Sequence, residues 1–316
     1  MSDYQFSLTT ESLVEQIFIA QLILTVPGIL INLLHVYILC HVSLRTSSTN
    51  SILIGIGIVD LLVLSVFLHD RIRQFWFPAC SEISRQSKWT DDLQRDILKQ
   101  TSFWLGVSLA LIRLLIMKFP NNNQLISSPK SGYFIVRLMY LVCFVLSILF
   151  YFSEQNSDCT ISSNSLEEQL HFLELISASS QILISLIYPI LAILLICVIW
   201  KSTNTVLFTV SKTSSVERHR LAKMILIMTL IYFICSAPCG FLDFCQLVFP
   251  GNLTLEILWS HENVLTSLLF CLNAMSHFLL NFSMASKYRE TAKNIFCSRK
   301  KHHFEVTVTK TSTVRK

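Results

Sequence analysis

Seven long apolar runs dominate the chain: Ile17–Cys40, Ile52–Leu68, Ser102–Phe119, Tyr133–Phe152, Ile176–Trp200, Ala222–Phe244 and Val264–Met284. Each has roughly the 17–25 residues that a helix needs to cross the hydrocarbon of a bilayer. A single soluble core at this size has no room for all of them. Composition agrees: the 316 residues are 52% hydrophobic and 14% charged, against about 25% charged in a soluble domain. The runs lack the period-two alternation of a membrane barrel. With no water in the hydrocarbon to satisfy the backbone, only helices are left. The expected fold class is therefore an all-α membrane protein, a seven-transmembrane helix bundle. Residues 1–16 form an outer N-terminus, 17–284 the membrane domain and 285–316 a tail. Acidic Asp3, Glu11 and Glu15 precede the first run, which argues against a cleaved signal peptide.

Charge sets the expected orientation. Placing the N-terminus outside leaves His41–Asn50, Asn121–Gly132, Lys201–Leu221 and the tail from Ala285 on the cytoplasmic side. With Arg113, Lys118, Arg137 and the other inner-end charges counted there, that side takes all but six of the 25 Lys and Arg. Of the 20 acids it takes only Glu217, Glu290 and Glu305. Short cytoplasmic loops are enriched in Lys and Arg, so the N-terminus is expected outside, the C-terminus in the cytoplasm, and the protein in the plasma membrane as a multi-pass chain. The net charge of +5 thus hides a basic inner face, suited to anionic lipid, and an acidic outer one.

Loop chemistry fits that orientation. Asn252-Leu253-Thr254 is a glycosylation sequon in the third outer loop. Of the ten Cys, Cys80 and Cys159 lie clearly in outer loops, where the compartment is oxidising. A Cys80–Cys159 bridge would pin two outer loops together, with free thiols or a pairing with Cys245 as the alternatives. Cys297, just past a basic amphipathic stretch, is a palmitoylation candidate.

An ionisable group inside a membrane span is costly, so each one is a functional candidate. Asp60 sits in the second run and Arg113 in the third. Asn32 and Ser102 add polar groups to the first and third. Asn273, Ser276, His277 and Asn281 share one face of the seventh. Together they are expected to form a buried polar cluster around Asp60. Hydrogen-bonding glue between helices is one reading, and a site for a sodium ion or waters is the other. No other cofactor and no metal centre are expected. Pro189 and Pro238 lie deep in the fifth and sixth runs, where proline removes a backbone bond and bends a helix.

In this order the residues resemble rhodopsin-like G protein-coupled receptors, from about Ile17 to Cys297. Asn32, Asp60 (ten positions after Asn50), Arg113 with Pro120 seven residues on, Pro189, Pro238, Asn273 and Asn281 match that class helix by helix. Tyr288-Arg289 resembles the start of its short amphipathic eighth helix. A closer likeness is to the nematode serpentine chemoreceptors called Srw, which are similar to FMRFamide-type peptide receptors. It rests on Leu44-Arg45-Thr46-Ser47-Ser48-Thr49-Asn50, on Trp104-Leu105-Gly106-Val107 through Arg113, on Ser128-Pro129-Lys130-Ser131-Gly132 and on Leu272-Asn273-Ala274-Met275-Ser276-His277. Four positions depart from the wider class. Ile112 replaces the acid before Arg113, and Cys235-Ser236-Ala237-Pro238 lacks the aromatic before its proline. Phe278 replaces the seventh-helix proline, and Cys80 lies farther from Arg113 than usual.

The resemblance implies an extracellular peptide or small chemosensory ligand and a heterotrimeric G protein partner. It also implies an outward movement of helix six about Pro238, with Arg113, Pro120, Pro189, Asn281 and Tyr288 in the coupling machinery. The acidic outer surface suits a cationic ligand, although depletion of Lys and Arg outside follows from topology alone. A seven-helix transporter or ligand-gated channel is the alternative. No catalytic motif points to an enzyme, and the basic residues trace the membrane rather than a nucleic-acid face.

Overall fold

Apolar runs of this length, free of Gly and Pro clusters, satisfy their backbones as helix before any tertiary contact forms. The computed structural model describes residues 2–76, 82–119, 124–159, 164–206, 212–249 and 262–297. Its seven long helices are α1 (Ser2–Leu39), α2 (Ser48–Trp76), α3 (Glu82–Lys118), α4 (Pro129–Cys159), α5 (Asn164–Val206), α6 (Lys212–Val248) and α7 (Glu262–Met284). A single turn, Gln124–Ser127, precedes α4. There is no strand among the described residues.

Six of these helices carry, among the described residues, a stretch long and apolar enough to span a bilayer: Ile19–Leu39, Ser48–Arg73, Ile97–Lys118, Ser179–Lys201, Ala222–Leu242 and Leu265–Met284. The expected fourth span, Tyr133–Phe152, falls on α4 and lies partly beyond the described side chains. Two spans run past their hydropathy limits. The third starts at Ile97, ahead of the expected Ser102, and takes in Lys99, which is only 7% exposed. The second continues past Leu68 to Arg73, which pairs with Asp70 one turn before it. Pairing and burial against neighbours let polar residues extend a helix that hydropathy alone would stop.

The chain signals its own helix starts. Ser47 caps α2 by accepting the Asn50 backbone N–H at 3.3 Å, and the Asn50 side-chain amide donates to Leu44 O at 2.6 Å. Ser128 caps α4 in the same way, from Ser131 N at 3.3 Å, with Pro129 in the first helical position, where no N–H is needed. Gly132 then lets α4 lie against α2, because a Cβ there would come within 2.5 Å of Ser48 O.

Neighbouring helices close a ring in the order α1, α2, α4, α5, α6, α7 and back to α1, with α3 inside it, touching α2, α4, α5 and α6. Burial follows from that order. Most of the α2 and α3 spans is buried, whereas α1 and α5 bury a third or less and turn Leu30, Leu33, Leu186, Ile190 and Ile193 outward. An apolar exterior around a polar interior is the inside-out pattern that lipid selects. Pro189 and Pro238 sit within continuous helices. Between them the Ser185 hydroxyl donates to Ser236 O at 3.1 Å and ties α5 to α6.

Residues 286–297 are helical again after a break at Ala285. The Arg289 guanidinium donates to Ser283 O at 2.8 Å and satisfies a carbonyl at the end of α7.

Candidate functional site

Asp60 is wholly buried on α2, in the middle of the bundle. A carboxyl group there needs partners, and they come from two other helices. The Ser102 hydroxyl of α3 donates to Asp60 Oδ1 at 3.0 Å. Nε2 of His277, on α7, lies 3.6 Å from Asp60 Oδ2. The same Nε2 is 3.1 Å from the Tyr232 hydroxyl of α6. Four helices thus meet at one carboxylate and one imidazole.

Aromatic rings hold Tyr232 in place. Tyr232 stacks on Tyr188 of α5 with centroids 5.4 Å apart and planes 5° from parallel. The Tyr188 hydroxyl donates to Phe103 O of α3 at 2.6 Å. Gly106 makes this possible, since a Cβ at that position would stand 2.5 Å from the Tyr188 hydroxyl and 2.7 Å from Tyr232 Cε2. Phe103 stands edge-on to Tyr232 at 6.2 Å, and Phe270 edge-on to Phe103 at 6.1 Å.

Several buried polar atoms at this centre have no hydrogen-bond partner: Asp60 Oδ2, His277 Nδ1, both amide atoms of Asn273, and Asn32 Oδ1. Asn32 spends its amide N–H on Gly28 O at 3.0 Å, within its own helix. Asn281, 3% exposed, likewise donates to His277 O at 2.8 Å. Ser276 donates to Asn273 O at 2.6 Å. Of the polar face expected on α7, Asn273, His277 and Asn281 are buried, and His277 reaches Asp60 itself. Among the described residues no group of three or more His, Cys, Asp or Glu could hold a metal ion.

Toward the other end of α3, Arg113 follows the buried Ile112, and its own buried Nε has no hydrogen-bond partner. Pro120 lies outside the described residues. So do Asn252 and Cys80, and with Cys80 the Cys80–Cys159 bridge. Cys245 and Cys297 are free thiols, and Cys297 is exposed at the end of the 286–297 segment.

Tyr288, near the start of that segment, is 2% exposed. Its hydroxyl sits 2.9 Å from Nδ1 of His35 on α1, and its ring packs edge-on against Phe278. Burial pushes the Tyr288 phenol above its ordinary range, so it stays a neutral hydroxyl. Thr291 meets Ser43 at 3.0 Å one turn further on. These contacts dock the 286–297 segment on α1 and the loop after it.

Sequence reading misses three residues at these sites: His35, Tyr188 and Tyr232. A faint signal existed for His35, which follows Asn32 by one helical turn on the same face. Tyrosine inside an apolar run carries no comparable signal, because a phenol is as much a packing group as a polar one.

A ring of apolar helices around a buried central helix, with polar groups turned inward, defines a multi-pass α-helical membrane protein. The model of the serpentine type 7TM GPCR chemoreceptor family Srw matches residues 19–299. The chain belongs to that family, a family of receptors rather than of enzymes. A search among curated proteins finds no match.

Proposed function

We propose that the protein binds an extracellular peptide or small chemosensory molecule from the plasma membrane and activates a heterotrimeric G protein through outward movement of α6. Membership of the Srw chemoreceptor family across residues 19–299 carries this reading. The N-terminus faces outward and the basic tail inward, as the distribution of Lys and Arg requires. Arg113, near the inner end of the central helix, forms the floor on which the G protein docks. The 286–297 segment acts as the amphipathic eighth helix, with Cys297 as its lipid anchor.

Ligand binding drives the change only by favouring the open state over the closed one. Waters or a sodium ion occupy the space beside Asp60 Oδ2, Asn32 Oδ1 and Asn273, whose atoms have no protein partner. Exchanging sodium for choline at constant ionic strength separates the two, because only a sodium ion makes basal signalling depend on the swap.

Guanine-nucleotide exchange on a co-expressed G protein, read across a panel of basic peptides and small odorants, tests the main reading. Ligand-dependent exchange is the expected outcome. Ligand-gated current with no exchange on any G protein would overturn it in favour of a channel.

A further inference from the structure

One buried nitrogen stands between oxygens on two different helices. His277 Nε2 has the Tyr232 hydroxyl of α6 at 3.1 Å and Asp60 Oδ2 of α2 at 3.6 Å. Asp60 Oδ1 is engaged by Ser102, and Oδ2 has no hydrogen-bond partner. Tyr232, His277, Asp60 and Ser102 are each at most 1% exposed, so a bond lost here is not replaced by bulk water. An orphaned buried polar nitrogen is costly, and a helix carrying Tyr232 away would leave one.

The neighbours decide which oxygen moves. Tyr232 belongs to α6, and its ring is held by stacking on Tyr188 and by edge-on packing against Phe103. Tyr188 is anchored to the central helix through Phe103 O. Asp60 is anchored to that same helix through Ser102. One oxygen therefore travels with α6 while the other stays with the core. An ionised Asp60 is also the stronger acceptor, which offsets its greater distance.

We infer that His277 is a positioning residue that exchanges partners: Tyr232 holds its Nε2 while α6 is packed in, and Asp60 Oδ2 receives it when α6 moves out. The exchange gives α6 a latch that does not need the aromatic missing at Ser236. It rests on the proposed movement of α6, and it names the contact that movement breaks and the one that replaces it. Opposite effects follow for the two oxygens. Tyr232→Phe removes the inward contact and keeps the stacked ring. Asp60→Asn keeps the shape and weakens the outward contact.

The test uses full-length receptor in lipid nanodiscs with no added ligand. Spin labels at Lys130→Cys and Lys223→Cys report the separation of α4 and α6, with exposed Cys40, Cys197 and Cys297 changed to Ser. Tyr232→Phe is expected to raise the wide-separation population about threefold to tenfold, the equivalent of one buried hydrogen bond. Asp60→Asn is expected to lower it. In a His277→Leu background, Tyr232→Phe is expected to change nothing further, which keeps the inference testable where Asp60→Asn does not fold. Shifts in the same direction, no shift, or a full Tyr232→Phe effect without His277 would each overturn it. Nucleotide exchange measured in parallel keeps the two readings apart. Wild-type exchange with unmoved labels sinks the latch alone, and moved labels with no exchange sink the G protein reading alone.

Discussion

Asp60 and Arg113 are both ionisable groups inside the bundle, and the fold surrounds them differently. Asp60 is met from α3 by Ser102 and from α7 by His277, which itself leans on Tyr232 of α6. Arg113 has Ile112 beside it where a neighbouring acid would pair with it, and its buried Nε bonds to nothing. In the middle, contacts cross four helices. At Arg113 no matching restraint is found among the described residues. The difference teaches that the bundle ties helices together at Asp60 and, among the described residues, leaves the Arg113 Nε without such a tie.

The largest effect expected bears on the floor. Arg113→Ala should reduce G protein exchange to background while surface labelling of cells stays at the wild-type level. Full signalling by that variant would break the comparison, because the floor would then have no function. Next comes the centre. Gly106→Val forces two methyl groups into the space taken by the Tyr188 and Tyr232 rings. Overpacking of this kind costs about 1–3 kcal/mol, to be read as a lower melting midpoint in detergent and reduced surface expression. An unchanged midpoint would mean that the tyrosine stack is not the anchor described.

A smaller effect should follow from supplying the missing restraint. Ile112→Asp places an acid beside Arg113 and should lower ligand-independent exchange about fivefold, the equivalent of roughly 1 kcal/mol. No change would show that the floor is already held by some other contact. The smallest effect concerns the docked tail segment. Tyr288→Phe removes the bond to His35 and keeps the ring against Phe278. A hydrogen bond of this type in a membrane protein averages about 0.6 kcal/mol, so the melting midpoint should drop slightly and surface expression should hold. A large drop would place the strongest restraint at the tail rather than at Asp60.

Much of this arrangement is legible along the chain. Asp60, Arg113, Asn273 and His277 stand out because each is polar inside an apolar run, where its cost needs a reason. The start of α4 is legible too, because Ser128-Pro129 is both a cap and a helix opener. The start of the third span is not. Lys99 reads as the end of hydrophobicity, yet it is buried, and only the packing of neighbouring helices reveals that. Tyr188 and Tyr232 escape notice for a related reason. Their hydroxyls find partners only when α3 and α7 bring Phe103 O and His277 within reach.

The sequence by itself determined the apolar spans and the polar residues they must hide, because lipid forces spanning backbone into helix and makes charge within it costly. Only the tertiary structure decided which polar residues meet. Asn32 and Asn281 turn back to their own helices, while His277 bridges α2 and α6. The physical reason is that helical periodicity assigns each residue to a face of its own helix. The rotation of that helix against its neighbours, which selects the partner, is settled by packing among residues far apart in the chain.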